Sequence, residues 1–404
     1  MMTPFLKQVA DHYYDIGGIE GRCFIFPNRR SMVFFRKHLC DAVKDAPLLA
    51  PQMLTINDFF AKAAGLQPCD RVRLLLELYE CYRKLNPKAE SLDEFVFWGD
   101  VILGDFNDVD KYLVDPKQLF ANVADYKALQ DTFEYLTETQ REAIKGFLSH
   151  FNDQSGKLTV DLGSDDPDVK GRFLQIWNIL YPLYLDFNGA LASKGMAYEG
   201  MVYRSLASRL KEIPAEDVFK GIFPDDTEYV FVGLNALNEC EKVLLRKLRD
   251  SGKAEFCWDW SGDMIRDSQN RSSFFMADNV LEFPQAAQWD IDGLGIPEIS
   301  VVSVASSVGQ AKRLPDILRQ RTGAPEDCAV VLPDENLLRP VLNSIPEDIR
   351  DINVTMGLPM SGSLLYSMMS DISSIQLHAV NRKGTWFFYH RQVWDLFAGE
   401  IFRK

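Results

Sequence analysis

The feature that most restricts the fold is a short run apolar at every position, Cys23-Phe24-Ile25-Phe26, closed at once by Pro27-Asn28. Such a run suits a strand covered on both faces. A helix-periodic stretch follows over residues 31–43, with Val33, Phe34, Leu39 and Val43 expected on its core side. Strand, tight turn and helix form the unit from which parallel sheets are built, because parallel neighbours need a crossover. Residues 3–15 precede it in helical step through Phe5, Val9 and Tyr13. Residues 53–64 follow as a helix holding Phe59 and Phe60, with Thr55 or Asn57 as its N-cap.

Strand signals return at 228–234 and 254–258, with a helix over 238–249 between them. From 68 to 210 the pattern is helical: Val72, Leu75, Leu76 and Tyr79 recur at helical spacing, as do Phe95, Trp98, Ile102 and Leu103, and then Phe173, Ile176, Trp177, Leu180, Leu183 and Tyr184. Residues 151–170 read as an exposed acidic loop, and 261–297 as a polar linker. A second strand–helix series is expected at 299–304, 308–320, 328–332 and 335–343, with helix and amphipathic turns over 363–404. At 404 residues the chain exceeds one ordinary core. The expected division is a first α/β domain in two parts, 1–67 and 211–297, split by a helical insertion at 68–210. The start of a second α/β domain follows at 298–404.

Composition excludes several classes. A net charge of −14 argues against nonspecific coating of nucleic acid, while leaving room for a local basic groove. No apolar run reaches a membrane span, and the first residues lack a basic stretch followed by an apolar core, so the cytoplasm is the expected compartment. The cysteines (Cys23, Cys40, Cys69, Cys81, Cys240, Cys257 and Cys328) form no CxxC pair and are expected mostly as small core residues. The histidines are scattered without metal-ligand spacing.

A nucleotide cradle needs G-x-x-x-x-G-K followed by Ser or Thr, so that backbone amides and a lysine hold phosphates and a hydroxyl holds Mg²⁺. Gly156-Lys157 is followed by Leu158 and Gly252-Lys253 by Ala254. Asp105, Asp108 and Asp110 lack the spacing of a calcium loop, and Phe106 and Val109 among them indicate a helix with one core face. Pro333-Asp334-Glu335 reads as a turn and N-cap rather than a nuclease carboxylate. Tyr13, Tyr14 and Trp260 are the aromatics kept open as stacking platforms for single-stranded bases. The informative polar residues are Asn28, Arg29 and Arg30. They follow a strand and so fall at a sheet's carboxyl edge, where α/β proteins bind ligands. Two arginines there suit phosphate oxygens, or else structural ion pairs.

This line, strand then Pro27-Asn28-Arg29-Arg30, helix, Leu48-Leu49-Ala50-Pro51 and a short helix, resembles the start of AddB-type helicase–nuclease subunits. Further pieces resemble that family in order. Gly104-Asp105-Phe106-Asn107-Asp108-Val109-Asp110 with Tyr112-Leu113 is similar to a marker in its helical insertion. Phe231-Val232-Gly233-Leu234 with Glu241 is similar to a motor-domain strand, and Trp258-Asp259 to the next strand end. Gln310-Ala311-Lys312, Ala329 to Glu335, and Asn353 to Pro359 are similar to the second motor domain.

The resemblance implies a superfamily-one helicase-like fold of RecA-like parallel sheets with a helical insertion domain. It implies a DNA-binding and structural role in double-strand break end resection and recombinational repair, beside an active AddA-type helicase–nuclease subunit. The implied partners are double-strand DNA ends and single-stranded DNA. The segment with Asn28, Arg29 and Arg30 corresponds to a family motif that touches single-stranded DNA, so these residues would contact it. Val232 stands where the family's strand carries a Mg²⁺-binding aspartate, so together with the missing nucleotide cradle no ATP hydrolysis and no catalytic site are expected within residues 1–404. The family's PD-(D/E)xK exonuclease domain, with its Mg²⁺ and in some members a 4Fe-4S cluster, is expected beyond Lys404, and no cofactor within this chain. An active ATP-dependent helicase or nuclease, and a protein-interaction scaffold without DNA contact, remain the alternatives.

Overall fold

The computed structural model describes residues 3–43, 47–87, 89, 91–120, 167–260, 262–267, 269, 271–289, 298–320, 328–399 and 401–402. The chain divides into two compact units, Met1–Gly295 and Ile296–Lys404.

The first unit opens with α1 (Phe5–Ile16), β1 (Arg22–Phe26), α2 (Arg29–Val43), β2 (Gln52–Thr55) and α3 (Ile56–Ala64). The helices α4 (Arg71–Leu85), α5 (Leu92–Lys111), α6 (Pro167–Ser193), α7 (Glu199–Glu212) and α8 (Ala215–Phe219) follow. The unit closes with β3 (Glu228–Val232), α9 (Glu239–Asp250), β4 (Ala254–Cys257), α10 (Gly262–Arg266) and α11 (Phe274–Glu282). The strands form a four-stranded sheet in the order β2-β1-β3-β4, and every pairing is parallel. This is a mixed α/β architecture, as the strand–turn–helix signal requires. β2 is a strand that the sequence pattern does not show: Gln-Met-Leu-Thr carries no distinctive alternation, and pairing with β1 makes it one.

Side chains alternate across the sheet, so each strand feeds two cores. Phe24, Phe26, Val230, Val232 and Cys257 face α1 and α2, where Val9, Tyr13, Phe35 and Leu39 cover them. Cys23, Ile25, Phe231, Phe256 and Trp258 face the opposite side, covered from α3, α7, α8 and α9. α2 buries Leu39 and packs Val43 against this core as expected, but its first turns differ. Phe35 and Leu39 are buried, while Val33 and Phe34 are 51% and 45% exposed. Met32 to Phe35 is apolar throughout, and contact with Phe24 and Phe26 selects Phe35.

The third core is helical, built from α4, α5 and α6 around Leu78, Phe95, Phe106, Leu183 and Phe187. Met196 and Tyr198 belong to this core, but Val202, Tyr203, Leu206 and Leu210 of α7 pack on the sheet. The acidic stretch at 151–166 lies outside the described residues, and from Pro167 the chain is helical rather than loop. The expected linker over 261–297 also differs. Met276 and Phe283 are buried against the sheet core, and Ala286 donates to the Phe256 carbonyl beside β4.

The second unit contains α12 (Ser307–Arg319), α13 (Leu338–Leu342), α14 (Leu364–Leu377), a hairpin of β5 (Val380–Arg382) and β6 (Thr385–Phe387), and α15 (His390–Ala398). The helices near 308–320 and 335–343 appear as expected, and Asp334 caps the short turn after Pro333 by accepting from Asn336 N. The described parts of 299–304 and 328–332 form no strand, and Val301 and Val331 stand 90% and 82% exposed. The hairpin, not a parallel sheet, is the described β-structure of this unit.

Candidate functional site

The sheet order places the candidate site. From β1 the chain crosses to β2 on one side, and from β3 it crosses to β4 on the other. Connections therefore diverge between β1 and β3, and the crevice outside the carboxyl ends of such a strand pair is where open α/β sheets bind ligands. Two connections border it, Pro27-Asn28 after β1 and Gly233 to Asn238 after β3.

The β1–α2 connection is short because Asn28 ends the strand and starts the helix together. Its Oδ1 accepts from Ser31 N at 2.9 Å and Ser31 Oγ at 3.2 Å. Its side-chain oxygen is therefore committed to capping. Arg29 and Arg30 occupy the first turn of α2 and are exposed. Arg29 is 81% exposed and meets Asp58 only at 3.9 Å; Arg30 has no ion-pair partner among the described residues. The three residues singled out from sequence thus sit side by side at the sheet's carboxyl edge, two presenting charge to solvent and one holding the helix end. With Pro27 lacking an N–H and no glycine present, this turn cannot wrap a phosphate in successive amides.

The β3–α9 connection begins at Gly233, whose φ of 67° lies in the left-handed region. It ends in a capping box: Asn238 Oδ1 accepts from Glu241 N, and Glu241 Oε2 from Asn238 N, both at 2.9 Å. Asn279 of α11 donates to the Asn235 carbonyl, bracing the connection from outside. Val232 is buried in the apolar layer beneath α1 and α2, so this strand end carries no carboxylate. Gly252-Lys253 lies at the amino end of β4, away from this edge, and Lys253 Nζ donates to the Asp225 carbonyl.

Sequence reasoning did not find the polar joint behind the site. Asp110 is 1% exposed and accepts from Tyr184 Oη at 2.6 Å and from Tyr198 Oη, with Arg204 Nε at 2.5 Å. Cys240 Sγ donates to its carbonyl at 3.3 Å. Next to it, Lys111 pairs with Glu199 at 2.8 Å, and Asn107 Oδ1 accepts from Gly200 N at 2.6 Å. Residues 105–111 therefore fasten α5 to α7 and α9. Phe106 and Val109 face the helical core, as their spacing indicates.

Of the aromatics kept open, Tyr13 is fully buried and donates to Glu255 Oε2 at 2.6 Å, which removes it as a stacking platform. Trp260 is half-buried and donates to Gln285 Oε1. Cys23, Cys81, Cys240 and Cys257 are buried, Cys69 is half-buried, and Cys40 and Cys328 are exposed. Among the described residues no three His, Cys, Asp or Glu side chains gather to hold a metal, and no helix is long and apolar enough to cross a membrane. Compared with known proteins, the chain matches no family model and no curated protein sequence.

Proposed function

We propose that this chain is the DNA-binding and structural, ATPase-inactive part of an AddB-type helicase–nuclease acting in double-strand break end resection. In this reading the parallel sheet is RecA-like and the helices α4 to α6 are the insertion. The observation that carries it is the pair Arg29–Arg30, exposed in the first turn of α2 at the carboxyl edge of the sheet. Guanidinium groups at a helix N-terminus suit phosphate oxygens, which the helix end also favours. The short Pro27-Asn28 turn and the apolar Val232 support a site that reads a DNA backbone rather than hydrolysing a nucleotide.

Fluorescence anisotropy with single-stranded and forked DNA tests this. The wild type should bind both, and the double variant Arg29→Ala, Arg30→Ala should bind at least about tenfold more weakly at low salt. Equal affinity of the double variant would sink the proposal. A protein-interaction scaffold is a second reading, favoured by the exposed Trp394, Phe397 and Leu377 of the second unit. Absence of DNA binding by the wild type would favour it.

A further inference from the structure

The amino edge of the four-stranded sheet, opposite the arginine pair, carries a cavity of about 240 Å³. It opens between α8, the turn that leads into β3, and the end of α9. Its floor is aromatic. Phe219 and Tyr229 each meet the Phe223 ring edge-on, with centroids 5.8 and 5.5 Å apart, and Leu248 of α9 completes the surface. Tyr229 is only 3% exposed, yet its hydroxyl has no hydrogen-bond partner among the described residues. A buried hydroxyl without a partner is costly, and this one belongs to a side chain that lines the cavity. Burial raises its pKa, so it stays protonated and can donate. The rim carries charge of both signs. Glu216, Asp217, Asp225 and Lys220 are exposed there and form no ion pair among the described residues. Lys220 follows Asp217 and Glu216 at the spacing of helical ion pairs. But α8 ends at Phe219, and Lys220 leaves it with an extended ψ of 126°, so the charges stay apart. Lys253 Nζ donates to the Asp225 carbonyl at 2.6 Å and brings a second ammonium to the rim.

We infer that this cavity binds a small zwitterion with an apolar side chain, a free α-amino acid of the leucine or phenylalanine kind. Its ammonium goes to Glu216 and Asp217, and its carboxylate to Lys220. The Tyr229 hydroxyl gives the carboxylate a further donor, and the side chain rests on the aromatic floor. Size supports this class. Sites for drug-sized ligands span about 300–1,000 Å³, so the smaller volume here suits an amino acid better than a nucleotide. Charge supports it too. A plain cation leaves Lys220 and Lys253 unmatched, and a plain anion leaves Glu216, Asp217 and Asp225 unmatched, whereas a zwitterion complements both signs. The cavity lies at the amino edge of the sheet, so the inference does not depend on the reading of Arg29 and Arg30 as DNA contacts.

Isothermal titration calorimetry on the whole chain tests this, with L-leucine and L-phenylalanine as probes. Two analogues of phenylalanine serve as controls: phenethylamine, which lacks the carboxylate, and 3-phenylpropionate, which lacks the ammonium. At least one amino acid should bind saturably, and both analogues should bind at least about tenfold more weakly than phenylalanine, since each leaves one sign of the rim unmatched. Tyr229→Phe removes one hydrogen bond and should weaken amino-acid binding about 2- to 12-fold. Lys220→Ala, at an exposed position, should weaken it as well, and thermal melting checks that each variant is folded. The Arg29→Ala, Arg30→Ala double variant should bind the amino acid as the wild type does. If neither amino acid binds in the millimolar range, the inference is overturned. It is also overturned if phenethylamine binds as tightly as phenylalanine, which would make the cavity a cation site, or if folded Lys220→Ala binds like the wild type.

Discussion

Glu241 shows how one residue can set a pH response far from any catalytic role. It is 8% exposed and closes the capping box of α9. Burial pushes its pKa up to about 7, with Glu199 adding to the rise, against the Asn238 N–H and Lys111, which pull it down. The folded value exceeds the ordinary glutamate value, so the native state holds this proton more tightly than the unfolded chain. Its contribution to stability is full below about pH 4.5 and is lost as the pH rises through about 7. Glu241→Gln keeps the acceptor and removes the charge. It should raise the melting temperature at pH 8, by a stabilisation on the order of 3 kcal/mol, and change it little at pH 5. Thermal melts at both values check this, and an equal shift at the two would refute it. Asp110 is the contrasting case. Its spacing from Asp105 and Asp108 invited a metal reading, but its partners Tyr184, Tyr198 and Arg204 come from 74 residues or more along the chain. No local pattern could have named them.

At the scale of elements, close approach of α5 and α7 depends on a missing side chain. A Cβ at Gly200 would lie 2.5 Å from the Asn107 carbonyl oxygen, whereas one at Gly104 would meet nothing. Gly200→Ala should therefore cost about 1–3 kcal/mol by forcing the helices apart. Gly104→Ala, in the interior of α5, should be neutral or stabilise by up to about 1 kcal/mol. Urea denaturation of both variants measures the difference, and equal midpoints would rule out the close contact. The strands β1, β3 and β4 were legible as short apolar runs, and α3 by its two cap candidates, of which Thr55 rather than Asn57 holds the helix end by accepting from Asp58 N. The phase of α2 in its first turns was not. Four apolar residues in succession leave the buried side undetermined until a sheet supplies Phe24 and Phe26 as partners.

The whole molecule divides unevenly in how it buries apolar surface. Among the described residues the first unit holds three cores, while the buried hydrophobic residues of the second are Ala311, Leu318, Leu337, Leu338 and Val341. Val301, Val331, Leu377, Trp386, Trp394 and Phe397 of the second unit are all more than half exposed. Exposed apolar surface of this extent marks an interaction surface or a loosely packed state. A fragment of residues 1–295 should unfold in one cooperative transition. A fragment of 296–404 should enhance the fluorescence of an apolar dye and melt without a sharp transition. Cooperative melting of the second fragment without dye binding would contradict this. The expected strands at 299–304 and 328–332 illustrate the cause, since an apolar run becomes a strand only when a neighbour accepts its backbone hydrogen bonds.

Local chemistry in the sequence determined the strand–turn–helix unit, the helical character of the middle block, the cap at Asp334, and the position of Asn28, Arg29 and Arg30 after a strand. These are short-range properties, set by side-chain shape, turn geometry and period. Tertiary structure alone decided that β2 is a strand, that Phe35 rather than Phe34 enters the core, that α7 belongs with the sheet, and that Asp110 and Glu241 are buried polar joints. Each of these depends on which distant surface arrives to supply a hydrogen bond or exclude water, and that is a property of the packed molecule.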